Sequence, residues 1–367
     1  MTGLKRDLVR YALWSVWASG APRLMASRYA GEGGILAFHR VQRRSTHSPI
    51  TQSLSITPES FRQVIETLVR QDYTFLSMSE LAARLQERNW TGERFVCLTF
   101  DDGFSDTYTE VFPVCREFNI PMTIYLVAAY IKRAFPVWLL CLEALLSRSD
   151  DICFTWEERE LRFVTRTDRQ KSRAYGIIAP LLAAADPKTV LQVCTELEFR
   201  YGVDFAALSD EHLLTPAMIT EMQASGLVEF GAHSVHHACL GRLDEASAFR
   251  EIAQSKMECE ALLGVPVRHF AYPYGDRLSA GEREADICRI LGFQTAVTTE
   301  CNTIFPTDRE RPFLLPRLTY NGWFQDTPLL ELLLSGTLPA LRRMLQASPK
   351  LPAQSASLPL SPSAEQG

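Results

Sequence analysis

Two adjacent carboxylates, Asp101 and Asp102, close an apolar run, Arg94-Phe-Val-Cys-Leu-Thr-Phe-Asp101-Asp102-Gly103. The run is rich in strand formers, and Gly103 lets the chain turn away. Side chains alternate along a strand, which sends neighbouring aspartates to opposite faces. At a strand end entering a glycine turn, both can reach the same mouth. Such a pair suits a metal site, or a ligand beside a general base. Taken alone, Asp102-Gly103 reads better as an ordinary turn. A second stretch, Ala232-His233-Ser-Val-His236-His237, holds three of the seven histidines. His233 and His237, four apart, share a face of a helical turn and can grip one ion; His236, three apart, is the geometric alternative. Two histidines and one carboxylate with open positions form a common arrangement for catalytic zinc. Combined with the aspartate pair, the metal reading outweighs a turn and a solvated loop.

These residues need elements to hold them. Apolar runs predict strands at 33–39, 73–76, 94–100, 121–127, 227–232, 268–272, 293–298 and 314–318. Helices alternate with them over 79–88, 109–119, 244–263 and 281–291, with further starts at Thr57-Pro58 and Thr215-Pro216, a capping residue before proline. This alternation implies a largely parallel sheet, open or closed into a barrel. His39, Asp101 with Asp102, His233, Tyr274 and Arg317 each fall at or just after the C-terminal end of a predicted strand. Barrels of alternating strands and helices build their sites there. Residues 134–214 break the rhythm. A hairpin tipped by Glu157–Glu160 and helical stretches over 168–183 and 187–201 predict an insertion that caps the main fold.

The 367-residue length fits two domains or one large α/β barrel with insertions. A net charge of −5 argues against nucleic acid as a partner. Nine cysteines, odd in number and without a C-x-x-C pair, favour a reducing compartment. The expected location is therefore cytoplasmic, with membrane association or export as alternatives. Near the start, Leu4, Leu8, Tyr11, Trp14 and Met25 fall near helical spacing. Residues 1–30 are read as an amphipathic helix that docks on the body or, through residues 1–25, on a membrane surface. Asp7, Arg10 and two tryptophans speak against a signal peptide, and the run is too short to span a bilayer. The Pro-, Ser- and Ala-rich segment 347–367 is expected to be a disordered tail.

Thr99-Phe100-Asp101-Asp102-Gly103 and His233-Ser234-x-x-His237 resemble the first two motifs of the polysaccharide deacetylase family, the NodB homology or carbohydrate esterase 4 group. Phe270-Ala271-Tyr272-Pro273-Tyr274-Gly275 resembles the third, and Ile35–Val41 resembles a branch opening with a strand that ends in His-Arg-Val. The resemblance implies a distorted (β/α)7 barrel over 31–346 with an inserted α+β cap at about 134–214. It implies metal-dependent removal of N-acetyl groups from a chitooligosaccharide-like glycan. By the same resemblance Asp101 is the general base, Asp102, His233 and His237 are the metal ligands, and the Tyr274 backbone N–H binds the oxyanion. The metal implied is Zn²⁺, with Co²⁺, Ni²⁺ or Mn²⁺ also compatible.

Two departures stand out. The family's base-orienting arginine is replaced by Ala271, and its late Leu-x-His motif is missing, since no histidine follows His269. Arg317 is the candidate to hold Asp101, with a salt bridge to an insertion loop as the alternative. His39 is the candidate proton donor to the leaving amine, with a buried structural histidine as the alternative. Tyr272, Tyr274, Phe104 and Trp323 are aromatics that could stack on sugars, and only Tyr274 is given a role; Trp138 either lines the cleft or packs it. His47 and His212 lie in polar segments and are given none. The missing partners also leave room for a catalytically silent glycan-binding barrel, and a third reading is a hydrolase of small non-sugar amides.

Overall fold

Eight strands, all parallel to their neighbours, make one sheet: β1 (Gly33–Phe38), β2 (Thr74–Phe75), β3 (Phe95–Phe100), β4 (Met122–Leu126), β5 (Val228–Ala232), β6 (His269–Ala271), β7 (Thr295–Val297) and β8 (Leu318–Thr319). The computed structural model describes residues 3–43, 54–87, 92–320, 322 and 325–347. His47, Trp323 and the segment 348–367 lie outside the described residues. Across the sheet the order is β7-β6-β5-β4-β3-β1-β8, with β2 beside the first half of β3. The sheet curls: Leu315 bridges to Val297 on one edge, and three residues later Leu318 pairs with Leu36 of β1. The result is a distorted, incompletely closed barrel with helices around it.

Side-chain parity decides what reaches the interior. Ile35, Phe95, Cys97, Tyr125, Ala271, Val297 and Leu315 pack into one buried cluster within the curl. Their strand mates of the other parity, such as Leu36, Val96, Leu98, Ile124 and Phe270, pack in the larger core with the helices. Counting in twos from the inner set, His39 and Asp101 continue the inward column at the C-terminal ends of β1 and β3, whereas Arg317, expected at the C-terminal end of a strand, directly precedes β8 and continues the column from Leu315. The helices start where side chains can cap them. Thr57, Thr215 and Asp244 each accept a backbone N–H in the first turn of helices Pro58–Arg70, Pro216–Ala224 and Glu245–Leu263.

The insertion has its own buried cluster. Helices Trp138–Arg148, Asp168–Ala184, Pro187–Tyr201 and Phe205–His212 pack with the hairpin Asp151–Trp156/Arg159–Val164, and against Val127, Tyr130 and Phe104 of the barrel. The helix at 138–148 carries no amphipathic signature because it is apolar nearly all round and buried in this cluster. At the N-terminus the structure has two helices, Gly3–Ala18 and Ala21–Tyr29, broken at Gly20 with φ 77°. Trp14 and Trp17 donate their indole N–H groups to Asp326 and Glu331, while Leu8, Tyr11 and Leu24 are exposed. The last ladder residues are Leu318–Thr319 rather than 314–318, because Pro316 has no N–H to donate.

Candidate metal and catalytic centre

The mouth of the barrel collects side chains from four strand ends. Asp102 Oδ1 lies 3.6 Å from His233 Nε2 and 3.3 Å from His237 Nε2. All three ligand atoms lie within 4.8 Å of one another. Asp102 has the wrong strand parity for this position. Its φ of 72°, followed by Gly103 at 79°, swings it back beside Asp101. Ser234, His237 and Tyr274 also have left-handed φ values of 60°, 57° and 64°. Each such non-glycine conformation costs about 1–3 kcal/mol and persists only where its surroundings enforce it. Four of them sit around one mouth.

The donor set fits a divalent cation. Asp102 Oδ1 is buried and has no hydrogen-bond partner among the described residues. Burial pushes the Asp102 carboxyl up, as it does for any buried anion without a matching cation. His233 Nδ1 stands 2.7 Å from the Ala271 carbonyl oxygen. That oxygen only accepts, so the proton sits on Nδ1 and the Nε2 lone pair faces Asp102. Burial lowers His233 and His237 to about 4, so both imidazoles are neutral and able to ligate near pH 7.

His236 points elsewhere. Its Nδ1 lies 2.6 Å from Glu251, whose other carboxylate oxygen accepts the backbone N–H groups of Val235 and His236, each at 3.0 Å. Glu251 thus ties the ligand loop to helix Glu245–Leu263. Sequence reading passed over this residue; the signal was a buried glutamate among Ala248, Ile252 and Ser255 on the helix's inner face.

Asp101 is held by Arg317. The wholly buried guanidinium donates to both carboxylate oxygens, at 2.8 and 2.7 Å, and to the Thr298 carbonyl oxygen at 2.9 Å. Burial alone would push the Asp101 carboxyl up. The Arg317 charge, followed by His233 and the two Arg317 hydrogen bonds, outweighs it and holds Asp101 well below the usual carboxylate range. His39 Nε2 stands 3.9 Å from Asp101 Oδ2, beyond hydrogen-bond reach, and its buried Nδ1 has no partner among the described residues. Tyr274 sets its ring edge-on to His237 at 4.8 Å between centroids and receives the Trp138 indole N–H on its hydroxyl. Trp138 therefore both packs in the cap and reaches the site.

Arg40 fastens the cap to this mouth, a role not read from the sequence. It pairs with Asp106 at 3.0 Å, lies 3.9 Å from Glu143 of the cap and 3.4 Å from His212 Nδ1, and stacks over Phe104. Between barrel and cap remains a half-enclosed cavity of ≈ 390 Å³. His39, Asp101, Asp102, His233, His237 and Tyr274 line its barrel side. Tyr272, by contrast, is buried in the core, with its hydroxyl on the Phe313 carbonyl oxygen.

The family model for polysaccharide deacetylases matches residues 88–293, more than half of the chain. The chain belongs to the polysaccharide deacetylase family. Among curated relatives, the poly-beta-1,6-N-acetyl-D-glucosamine N-deacetylase of Staphylococcus epidermidis is 28% identical over 105 residues, covering 26% of this chain and 36% of that protein. The chain spans about a third of the length of the curated relatives it matches. Two solved structures share the fold. IcaB from Ammonifex degensii has a TM-score of 0.53 and 19% identity, covering 83% of this chain and 97% of that one. The Streptococcus pyogenes deacetylase PplD, in complex with acetate, has a TM-score of 0.53 and 17% identity over 79% and 92%.

Proposed function

We propose that the protein hydrolyses N-acetyl groups from amino sugars of a chitooligosaccharide-like oligo- or polysaccharide, with a divalent metal, and releases acetate. The observation that carries this is the donor set of buried Asp102 and His233 with half-buried His237, beside an aspartate held ionised by Arg317. Zn²⁺ suits two histidines and a carboxylate, with Co²⁺, Ni²⁺ and Mn²⁺ as alternatives. Held by those three residues, the ion supplies polarisation of the amide carbonyl and a more acidic water. Asp101 takes the proton of the attacking water, while Arg317 keeps the carboxylate charged and aimed. The Tyr274 backbone N–H donates to the oxygen as negative charge builds on it. The carbon–nitrogen bond then breaks, and His39 delivers the proton that the departing amine needs.

Purified protein with zinc should release acetate from N-acetylglucosamine oligomers. Asp101→Asn should abolish release yet keep the metal; full activity in that variant removes Asp101 from the role of base. The half-enclosed cavity leaves one second reading, hydrolysis of a small non-sugar amide. Parallel assays with simple acetamides decide between the two. The N-terminal helices enter the proposal as a membrane-surface contact, supported by exposed Leu8, Tyr11 and Leu24. No helix among the described residues is long and apolar enough to cross a membrane.

A further inference from the structure

The wall of the cavity facing the catalytic residues is mostly apolar, with the Tyr175 hydroxyl as its polar side-chain group. It is built from Val137, Leu139, Tyr175, Ala179, Pro180 and Ala183 of the cap, with Leu54 at its margin. No Ser, Asn, Gln, Glu, Lys or Arg lines the cavity among the described residues. The Thr299 hydroxyl donates to the Tyr274 carbonyl oxygen at 2.7 Å, and the Trp138 indole N–H is taken by the Tyr274 hydroxyl. A hydrophilic glycan brought against this wall would find few polar groups, the Tyr130 and Tyr175 hydroxyls among them, and most of its own hydroxyls would lose water without regaining hydrogen bonds.

The wall is also shaped to receive something. Residues 175, 176, 179, 180 and 183 form one stripe of helix Asp168–Ala184, while Ala174, Ile178 and Leu182 turn to the cap's own core. Tyr175, Ala179 and Ala183 pack partly against that core and turn the rest of their surface to the cavity. Gly176 lines the cavity at an exposed position, and a Cβ there would meet no atom within 4 Å. Pro180 lacks an N–H, which leaves the Gly176 carbonyl without the helix bond from that residue. Across the cavity, the buried and unpartnered Asp102 Oδ1 and His39 Nδ1 mark the reacting end. One end of the space is thus polar and reactive, and the other is hydrocarbon-like.

We infer that the substrate is amphiphilic: an amino-sugar amide that carries an alkyl chain, either on its anomeric oxygen or as the acyl group of the amide. The inference rests on the proposed amidohydrolase reading and names the substrate class within it. The cap wall takes the alkyl chain, and the amide lies over Asp101, Asp102 and the histidines.

The test uses the full zinc-loaded chain and three substrate sets: N-acetylglucosamine tetramer, alkyl N-acetylglucosaminides of increasing chain length, and N-acylglucosamines of increasing acyl length. In one of the two alkyl series, kcat/KM should rise about threefold to fourfold per added methylene until the wall is full. The series that responds identifies where the chain is attached. Gly176→Leu and Ala179→Phe, which project side chains into the cavity, should cut the long-chain value about tenfold or more. Octyl glucoside, which has no amide, should bind saturably by calorimetry below its micelle concentration and lose affinity in both variants. Equal turnover at every chain length, with no octyl glucoside binding, overturns the inference and leaves the deacetylase reading standing. Saturable binding with no turnover of any amide upholds the alkyl wall and overturns the deacetylase reading.

Discussion

Replacing Arg317 by methionine tests the support of the base directly. The guanidinium is wholly buried and makes both of its shortest contacts to Asp101, which is itself only 2% exposed. Methionine fills similar length without charge, so the variant strands a buried carboxylate. Breaking a buried pair in this way costs about 3–5 kcal/mol. Asp101→Asn with Arg317→Met removes both charges and should recover most of that loss, since replacing a whole buried pair by neutral groups is often close to neutral. The two effects must appear together for the pair to be what holds Asp101. Urea unfolding of the wild type, each single variant and the double variant gives the coupling. Acetate release gives the chemical side: kcat should fall about 10²–10⁴-fold in Arg317→Met, the range of a general base's contribution. Arg317→Lys keeps the charge and loses the fork, and should fall between the two. A stability loss below about 1 kcal/mol in Arg317→Met, with kcat within about threefold of wild type, would refute this reasoning.

Glu251→Ala frees the loop that carries His233 and His237, and should weaken zinc binding about 10–100-fold in a chelator competition. His237→Ala should abolish tight zinc binding, whereas His236→Ala should weaken it less, because His236 faces Glu251 rather than Asp102. His39→Gln should retain zinc by metal analysis while kcat falls about 10²-fold or more. Burial, with Arg268 adding to it, lowers buried His269 from 6.5 to about 3. The neutral ring is the folded form, so the unfolded chain takes the proton first. Its share of stability is present above pH 6.5 and is lost toward pH 3, by about 1.4 kcal/mol per unit for one group. His269→Gln should flatten that slope in urea midpoints measured from about pH 7 to about pH 5.

Much of the framework was legible because it obeys simple periods. Inward parity carries from Phe95 through Cys97 and Thr99 to Asp101, and caps such as Thr57 and Asp244 start helices where their residue types predict. The parts that were not legible break those periods. Helix Trp138–Arg148 is apolar nearly all round, so no stripe announces it. The choice between His236 and His237 turns on left-handed backbone at Ser234 and His237 and on a glutamate 14 residues beyond His237, none of which spacing records. The same kind of kink at Asp102 places two neighbours in one mouth. Arg317 was visible as a charge within Leu-Leu-Pro-Arg-Leu-Thr-Tyr, but its partner lies 216 positions away. The alkyl-lined wall went unread because Tyr175, Gly176, Ala179 and Pro180 look like ordinary helix until the cap is folded over the barrel.

That long span between Asp101 and Arg317 sets an order of events during folding. The three candidate metal-ligand residues all lie before residue 238, whereas the guanidinium arrives with the approach to β8. A chain emerging from the ribosome therefore has its candidate cation-binding residues outside before Asp101 has a counter-charge. Asp101 enters the interior in its working form only when β8 docks on β1 and the curl of the sheet is drawn together. On the proposed function, closure of the sheet and competence for hydrolysis become one step.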